Sequence, residues 1–197
     1  MTETAQTGLR ERSKARRREA IIRAAYQLFA ERGFDATTVA DIAAAAEVAP
    51  RTVAMYFPSK QDIALSRYSE GIESLTAAVG SRAPGETLIG VLDRWLRDAD
   101  LHSDADMKRL ALRMFAANPE LNALRTARMA AAISEGAAAI AAETGTAPGS
   151  FGPHIAAVAT AAILLEVTDL VPGPARDEAV TIALRFLDAG IRTLGPA

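Results

Sequence analysis

The pattern of apolar and polar residues in the first third of this chain is that of an amphipathic helix. Between about residues 14 and 32, apolar residues recur at spacings of three and four, and these are Ile21, Ala24, Ala25, Leu28 and Phe29. This spacing places them on one face of an α-helix. Gly33 follows as a candidate C-cap. The pattern therefore predicts a first helix that buries one face.

Two shorter helices follow, and each has a recognisable start. Thr38, with Asp41 three positions later, has the arrangement of a capping box and predicts a helix over about residues 39–46. Soon afterwards Pro50 suits the first position of a third helix, because its missing N–H has no partner to lose there. That helix must end near Phe57, before a proline. Two short helices joined by a brief turn behind a longer helix form a helix-turn-helix domain.

The third helix has one apolar and one polar face. Val53 and Phe57 lie one turn apart and are predicted to be buried against the first two helices. The opposite face carries Arg51, Thr52, Met55 and Tyr56. The guanidinium of Arg51 can donate to both O6 and N7 of a guanine in a DNA major groove, and the hydroxyls of Thr52 and Tyr56 can bond phosphate oxygens. This face therefore predicts DNA recognition.

A fourth helix is predicted to begin at Ser59, because Asp62 repeats the capping pattern, and to run to about residue 80. Lys60 lies in its first turn, where it adds a charge to a helix N-terminus that already favours anions. We therefore expect Lys60 to contact phosphate.

Charge is distributed unevenly along the chain. The net charge is −2, but residues 1–60 contain ten Lys or Arg against seven Asp or Glu, while residues 61–197 contain twelve against seventeen. Much of the positive charge lies in the run RERSKARRR, which includes Arg17. One interpretation is a solvated, flexible arm over residues 1–13. The other is an arm that seeks DNA phosphates.

The segment RREAIIRAAYQLFAERGFDATTVADIAAAAEVAPRTVAMYFPSKQDIALSR, residues 17–67, closely resembles the DNA-binding domain of the TetR family of bacterial transcriptional regulators. The resemblance is carried by AAYQLFAERGFDATTVADIAAAAEV followed by YFPSKQDIA, about a quarter of the chain. It implies an all-α protein of about nine helices, with a helix-turn-helix domain over residues 14–58 and a helical effector-binding and dimerisation domain over 59–197. The DNA contacts that it implies are Thr38, Thr52, Tyr56 and Lys60 for phosphates, and Pro50, Arg51, Thr52 and Met55 for bases; Arg17 in the basic run is a further candidate.

Three positions depart from the family pattern. Glu47 stands where glycine is common, so the turn requires a conformation that a Cβ disfavours. Ala49 stands where a serine usually caps the third helix, and it cannot accept a bond from the helix amides. Ala54 replaces a common aromatic residue. We therefore expect more of the specificity to lie on Arg51 and Met55.

The rest of the chain is predicted to be helical. The predicted helices begin near Leu88, near Met107 and at Pro119 with Asn118 as its cap, and the last two cover about residues 154–170 and 176–194. The first of the last two is apolar on nearly every side and so must be covered on every side. Burial in the core and a dimer interface both satisfy this, and the resemblance favours a homodimer that pairs these two helices with their copies.

The middle helices hold the candidate ligand-binding residues, which are Tyr68, Trp95, His102, Met107, Met114 and Phe115. Core packing explains any one of them equally well. Only the resemblance implies an apolar pocket for an unidentified small-molecule effector. No residue in this half matches a ligand-specific motif.

Composition limits the other functional classes. The chain has no cysteine and two histidines, so we expect no thiolate chemistry, no metal site and no cofactor. It lacks an apolar signal region, and its longest apolar run, Ile155 to Leu165, falls short of a membrane span, so we expect a cytoplasmic protein. The predicted function is a repressor that binds a palindromic double-stranded DNA operator as a dimer and is released by a small apolar or amphipathic ligand. Two alternatives stay open: a regulator whose C-terminal domain binds a protein, and, with no catalytic motif to support it, a helical enzyme.

Overall fold

The structure is a computed structural model that describes residues 2–101 and 104–194, with side chains over 11–99 and 104–194. Within these ranges the chain forms helices and no strand, as the all-α prediction requires. The helices are α1 Thr2–Arg32, α2 Val39–Ala45, α3 Pro50–Tyr56, α4 Lys60–Ala64, α5 Ser66–Gly80, α6 Leu88–Leu101, α7 Ala105–Ala117, α8 Pro119–Arg128, α9 Ala130–Thr144, α10 Phe151–Thr168 and α11 Pro174–Arg192.

Helix α1 begins at Thr2, well before the predicted start near residue 14. The basic run consists of good helix formers with no proline, so the helix continues through it. The end of α1 is as predicted, because Gly33 has a φ of 87° and its N–H donates to the carbonyl of Phe29 at 3.1 Å. Flexibility of residues 1–13 remains a prediction.

Two predicted long helices are each divided, so the described residues hold eleven helices where about nine were expected. Leu65 separates α4 from α5, and its N–H donates to the carbonyl of Gln61. Met129 separates α8 from α9, and its N–H donates to the carbonyl of Thr126, only three residues back. Neither break carries glycine or proline, so local sequence gives no signal for it.

The chain divides into two compact units. The first is Met1–Arg67 together with Arg109–Leu124, and the second is Tyr68–Lys108 together with Arg125–Ala197. The division differs from the predicted boundary at residue 58, because a segment of α7 and α8 belongs to the first unit.

The core of the first unit contains the apolar face predicted for α1. Ile21, Ile22, Ala25 and Phe29 have no exposed surface, although Ala24 of the predicted face is only half-buried. The rings of Phe29 and Phe34 lie 5.1 Å apart. These contacts fix the end of α1 against the loop that leads to α2.

The core of the second unit is aliphatic and comes from helices distant in sequence. Its members include Leu92 and Leu96 of α6, Ile140 of α9, Leu164 of α10 and Leu184 of α11. By length and composition α10 could cross a membrane, but an apolar helix of a water-soluble protein meets the same criterion. Its apolar character therefore does not by itself indicate a membrane.

Candidate nucleic-acid interface and cavity

Helix α2 begins with the predicted capping box. The Thr38 hydroxyl accepts from the Asp41 N–H at 3.1 Å, and the Asp41 carboxylate accepts from the Thr38 N–H at 2.8 Å. The same carboxylate accepts from the Thr38 hydroxyl at 2.5 Å. The hydrogen bonds from the hydroxyl and the N–H of Thr38 hold the pKa of Asp41 below its usual value. Thr38 is thus held, exposed, at the start of the helix.

The turn between α2 and α3 has the conformation expected from its unusual residue. Glu47 has a φ of 54°, the one positive value outside glycine in the described residues. A Cβ disfavours this left-handed region, which glycine adopts freely. Ala49 then serves as the N-cap of α3 without a side-chain hydrogen bond. Both departures therefore have the structural consequence predicted for them.

Helix α3 presents the two predicted faces. Val53 and Phe57 are 1% and 6% exposed, and Met55 is 82% exposed. Of the other candidates, Pro50 and Arg51 are exposed, and Thr52 and Tyr56 are half-buried. The buried pair fixes the rotation of the helix, so the same rotation turns Arg51 and Met55 outward.

Lys60 has a structural role that the sequence did not suggest. Its Nζ donates to the carbonyls of Phe34 at 2.5 Å and Thr37 at 2.9 Å, and it lies 4.3 Å from the centroid of the Phe34 ring. These contacts hold the loop between α1 and α2. The Nζ also donates to the carbonyl of Asp35 at 3.5 Å, so all three donors of the ammonium group face backbone carbonyls. A phosphate contact of Lys60 remains a prediction.

One side chain of the basic helix α1 lies against Phe57, the residue that follows α3. The Arg18 guanidinium lies 5.2 Å from the centroid of the Phe57 ring, and Arg67 pairs with Glu19. Arg17 is exposed and so is placed to meet an anion. The charged surface therefore extends beyond α3 along α1.

Asn118 is a buried residue whose importance the sequence did not indicate. It is 2% exposed, accepts from the Phe34 N–H at 2.6 Å, and donates to the carbonyls of Phe29 at 3.0 Å and Met114 at 2.7 Å. It does precede α8, as predicted, but its side chain is committed to the end of α1. In the sequence, an asparagine before a proline indicates only a local helix cap. The hydrogen bonds of Asn118 to the end of α1 join distant parts of the chain, so nothing in the local sequence indicates them.

The described candidate ligand-binding residues are divided between the two compact units. Met114 and Phe115 are buried in the first unit, whereas Tyr68, Trp95 and Met107 belong to the second. His102 lies outside the described residues. Trp95 donates from Nε1 to the Ser74 hydroxyl at 3.2 Å. Tyr68 lies under the Arg125 guanidinium, 5.0 Å from its ring centroid, and its own hydroxyl is buried without a hydrogen bond.

Arg125 also belongs to a charged cluster in the second unit. It binds both oxygens of Asp169, at 2.7 and 2.9 Å. The Nζ of Lys108 lies 3.8 Å from the same carboxylate. Burial lowers the pKa of Lys108, against the opposing attraction of Asp169. Burial likewise raises the pKa of Tyr68.

A cavity lies elsewhere in the second unit, between α5, α6, α9 and α10. Its empty volume is about 440 Å³, a figure that includes space open to solvent. Its wall includes Leu88, Leu92 and Ile140, which are at most 2% exposed. None of the five described candidates, Tyr68, Trp95, Met107, Met114 and Phe115, lines it. Of these candidates, Met107, Met114 and Phe115 are buried, and Tyr68 and Trp95 are half-buried.

The last two helices leave an apolar face exposed. Phe151, Ile155 and Val158 of α10 are between 43% and 76% exposed, and Ile182 and Phe186 of α11 are 52% and 66% exposed. A contiguous exposed apolar patch is typical of an interaction surface.

These features define a class. Two short helices joined by a tight turn, with the second presenting an arginine and exposed apolar and hydroxyl side chains, form a helix-turn-helix nucleic-acid-binding module. The module is followed by a helical unit with a cavity and an exposed apolar face.

Comparison with known proteins finds similarity to one family. The family model described as bacterial regulatory proteins, tetR family, matches residues 21–66. Over these residues, which hold most of the helix-turn-helix module, the chain is similar to TetR-family transcriptional regulators. The matched homologues are transcriptional regulators.

Individual relatives are similar over different extents. The HTH-type transcriptional regulator TcmR of Streptomyces glaucescens is 44% identical over 79 residues, which cover 40% of this chain and 35% of the relative. The match thus spans about a third of the length of that curated relative. Thermus thermophilus FadR, a TetR-family repressor solved with lauroyl-CoA, is 27% identical with a TM-score of 0.56, covering 88% of this chain and 94% of its own. Salmonella enterica GusR is 23% identical with a TM-score of 0.62, covering 89% and 95%.

Proposed function

We propose that this protein is a cytoplasmic repressor that binds a palindromic operator as a homodimer and is released by a small apolar or amphipathic ligand. One observation carries the DNA-binding part: the buried Val53 and Phe57 hold α3 so that Arg51 and Met55 are exposed together. Arg51 bonds a guanine in the major groove, and Met55 contacts an apolar base edge such as a thymine methyl. Thr38, Thr52 and Tyr56 bond phosphates and fix the register.

A gel-shift titration tests this part. The full-length protein is titrated with palindromes from beside its own gene and with random duplex, in low and moderate salt. We expect a preferred palindrome with half-sites about 34–36 Å apart. Equal affinity for all duplexes would refute the operator proposal.

Two variants separate base reading from phosphate binding. Arg51→Ala should cost about 1–3 kcal/mol on the operator and little on random duplex. Lys60→Ala should weaken binding to both, because it removes a charge and the three carbonyl contacts that support the α1–α2 loop. Melting temperatures provide the control, since we expect only Lys60→Ala to lower stability. Equal losses on all sequences for both variants would mean that the assigned roles are wrong.

The dimer is proposed to form through the exposed apolar face of α10 and α11. A second copy of the chain would cover Phe151, Ile155 and Phe186, which are exposed in the single chain. Two-fold symmetry would then place two recognition helices on two half-sites.

The effector is proposed to occupy the cavity in the second unit. The structure of FadR was determined with lauroyl-CoA, which supports effector binding in a protein of this fold. A ligand releases the operator only by its differential affinity for two conformations, and such coupling typically changes affinity about 5- to 150-fold. Ala132→Phe would fill part of the cavity, and it should abolish ligand-induced release while operator binding persists. If the ligand still released the operator from this variant, the effector would have to bind outside the cavity.

A further inference from the structure

The cavity has a sharply uneven distribution of polarity. Its buried end is formed by Leu88, Leu92 and Ile140, which have almost no exposure. Glu135 of α9 also lines it, but is exposed. Among the residues that the structure describes, it is the one charged residue in the wall, and none of the others is Lys, Arg or His. An amphipathic ligand would therefore place its apolar body inside and its head group beside a carboxylate.

The hydrogen-bonding groups of the wall are mostly acceptors. The ionised Glu135 only accepts. The hydroxyl of Thr160 donates to the carbonyl of Ala156 at 2.7 Å, which leaves its oxygen as an acceptor. Among the polar side chains that the structure describes in the wall, Thr76 alone keeps a donor for a ligand. A head group rich in donors and without an acceptor fits this set best, and ammonium has that character.

Glu135 is not committed to another contact. Within the described residues it makes no hydrogen bond or ion pair, unlike Glu143 on the same helix, which pairs with Arg82 and accepts from the Leu88 N–H. A cationic ligand at Glu135 would thus displace no existing ion pair. A carboxylate ligand would meet like charge, with no cation among the described residues of the wall to offset it.

We infer that the cavity selects an apolar ligand with a protonated amine over its neutral and anionic counterparts. This inference rests on the proposed effector function and names the chemical class of the effector. The apolar wall supplies most of the affinity, and Glu135 supplies the selection by charge. Since Glu135 is exposed, solvent screens the pair, so the selection is modest.

Three ten-carbon probes that differ in the head group test the inference: decylamine, 1-decanol and decanoate, each below its micelle concentration at pH 7. Isothermal titration calorimetry with the full-length protein measures each affinity. We expect decylamine to bind about two- to fivefold more tightly than decanol, which is the range of an exposed ion pair, and decanoate to bind most weakly. Glu135→Gln should remove the preference for decylamine and leave decanol binding unchanged.

Glu73→Gln is the matched control, because it removes the same charge from an exposed position on α5 outside the cavity wall. It should keep the preference of the original protein. The inference would be overturned if the preference for decylamine survived Glu135→Gln or were lost equally in Glu73→Gln. It would also be overturned if the protein bound all three probes equally or bound none of them. Operator release is measured separately by gel shift. Amine-selective binding without release would refute the proposed effector function and leave the charge selection standing.

Discussion

Glu47 adopts a left-handed conformation in the tightest part of the helix-turn-helix motif, with a φ of 54°. For a residue with a Cβ this conformation costs about 1–2 kcal/mol relative to the right-handed one. The turn keeps it because the buried Ile42 and Val53 on either side fix the two helices that it joins. The strain is therefore a local cost of a geometry that tertiary packing requires.

Glu47→Gly should raise the free energy of unfolding by about 0.5–1 kcal/mol. The substitution removes the Cβ that opposes the left-handed region, and this gain exceeds the entropy that glycine adds to the unfolded chain. Urea denaturation measures the change. Glu47→Ala is the control, since it removes the same charge but keeps the Cβ, and it should give no gain. An equal gain from both variants would indicate that the charge, and not the backbone, is responsible.

Lys108 provides a pH-dependent prediction at the same scale. Its folded-state pKa lies below the usual 10.5, so between these two values the unfolded chain binds more protons and stability rises with pH. Lys108→Met removes the burial of this charge, while Arg125 still pairs with Asp169. The variant should be more stable at pH 7 by up to about 1 kcal/mol, and its advantage should shrink as the pH rises toward 10.5.

Denaturation at pH 7 and pH 9.5 checks this prediction. Lys14→Met, at an exposed position of α1, should show no pH-dependent difference from the original protein. An advantage of Lys108→Met that grows with pH would contradict the assigned cause.

At the scale of elements, the first unit is completed by a segment far away in sequence. Asn118, between α7 and α8, binds backbone groups on both sides of the end of α1. Its hydrogen bonds hold the residue that follows Gly33, from which the loop to α2 departs. The orientation of the helix-turn-helix motif therefore depends on the α7–α8 junction as well as on its own core.

Asn118→Ala should lower the free energy of unfolding by about 1–3 kcal/mol, because it removes the hydrogen-bond partner of the buried Phe34 N–H and of the Met114 carbonyl, whereas the Phe29 carbonyl keeps the Gly33 N–H. Hydrogen exchange gives a more specific measurement: the Phe34 amide should lose protection more than other amides of the unit. Asn122→Ala, at an exposed position of α8, is the control and should change stability by less than about 0.5 kcal/mol. Unchanged protection of Phe34 in Asn118→Ala would show that the hydrogen bond is not essential to the loop.

The helix boundaries show which structural features can be predicted from neighbouring residues alone. The caps at Thr38 and Ser59 and the proline at the start of α3 were predicted correctly, because capping is decided within four residues. The breaks at Leu65 and Met129 were missed, because no residue near them disfavours a helix. Each break follows from how the flanking segments pack.

At the scale of the whole molecule, two exposed apolar sites have different proposed partners. Met55 is 82% exposed on α3 and is proposed to meet DNA, and Phe186 is 66% exposed on α11 and is proposed to meet a second copy. The two sites lie in different compact units, so their effects should be separable by mutation.

Phe186→Asp should convert the dimer to a monomer, because it places a charge in an apolar interface, and operator affinity should fall with it. Met55→Asp should leave the dimer intact and lower operator affinity alone, since its carboxylate would face phosphates and acceptor-rich base edges. Sedimentation velocity measures the assembly and a gel shift measures the DNA binding. A monomeric original protein, or an unchanged dimer in Phe186→Asp, would exclude α11 as the interface.

The sequence by itself determined the helical faces, the caps, the unusual turn at Glu47 and the outward set on α3, because each depends on residues within about two turns of one another. Only the tertiary structure decided the partners of Asn118, the carbonyl contacts of Lys60 and the position of the cavity. Those features join residues separated by more than twenty positions, and a cavity is defined by the space that side chains leave unfilled. Residue type does not reveal that space, so the aromatic and methionine side chains that suggested a pocket lie outside it, while aliphatic residues and Glu135 line it.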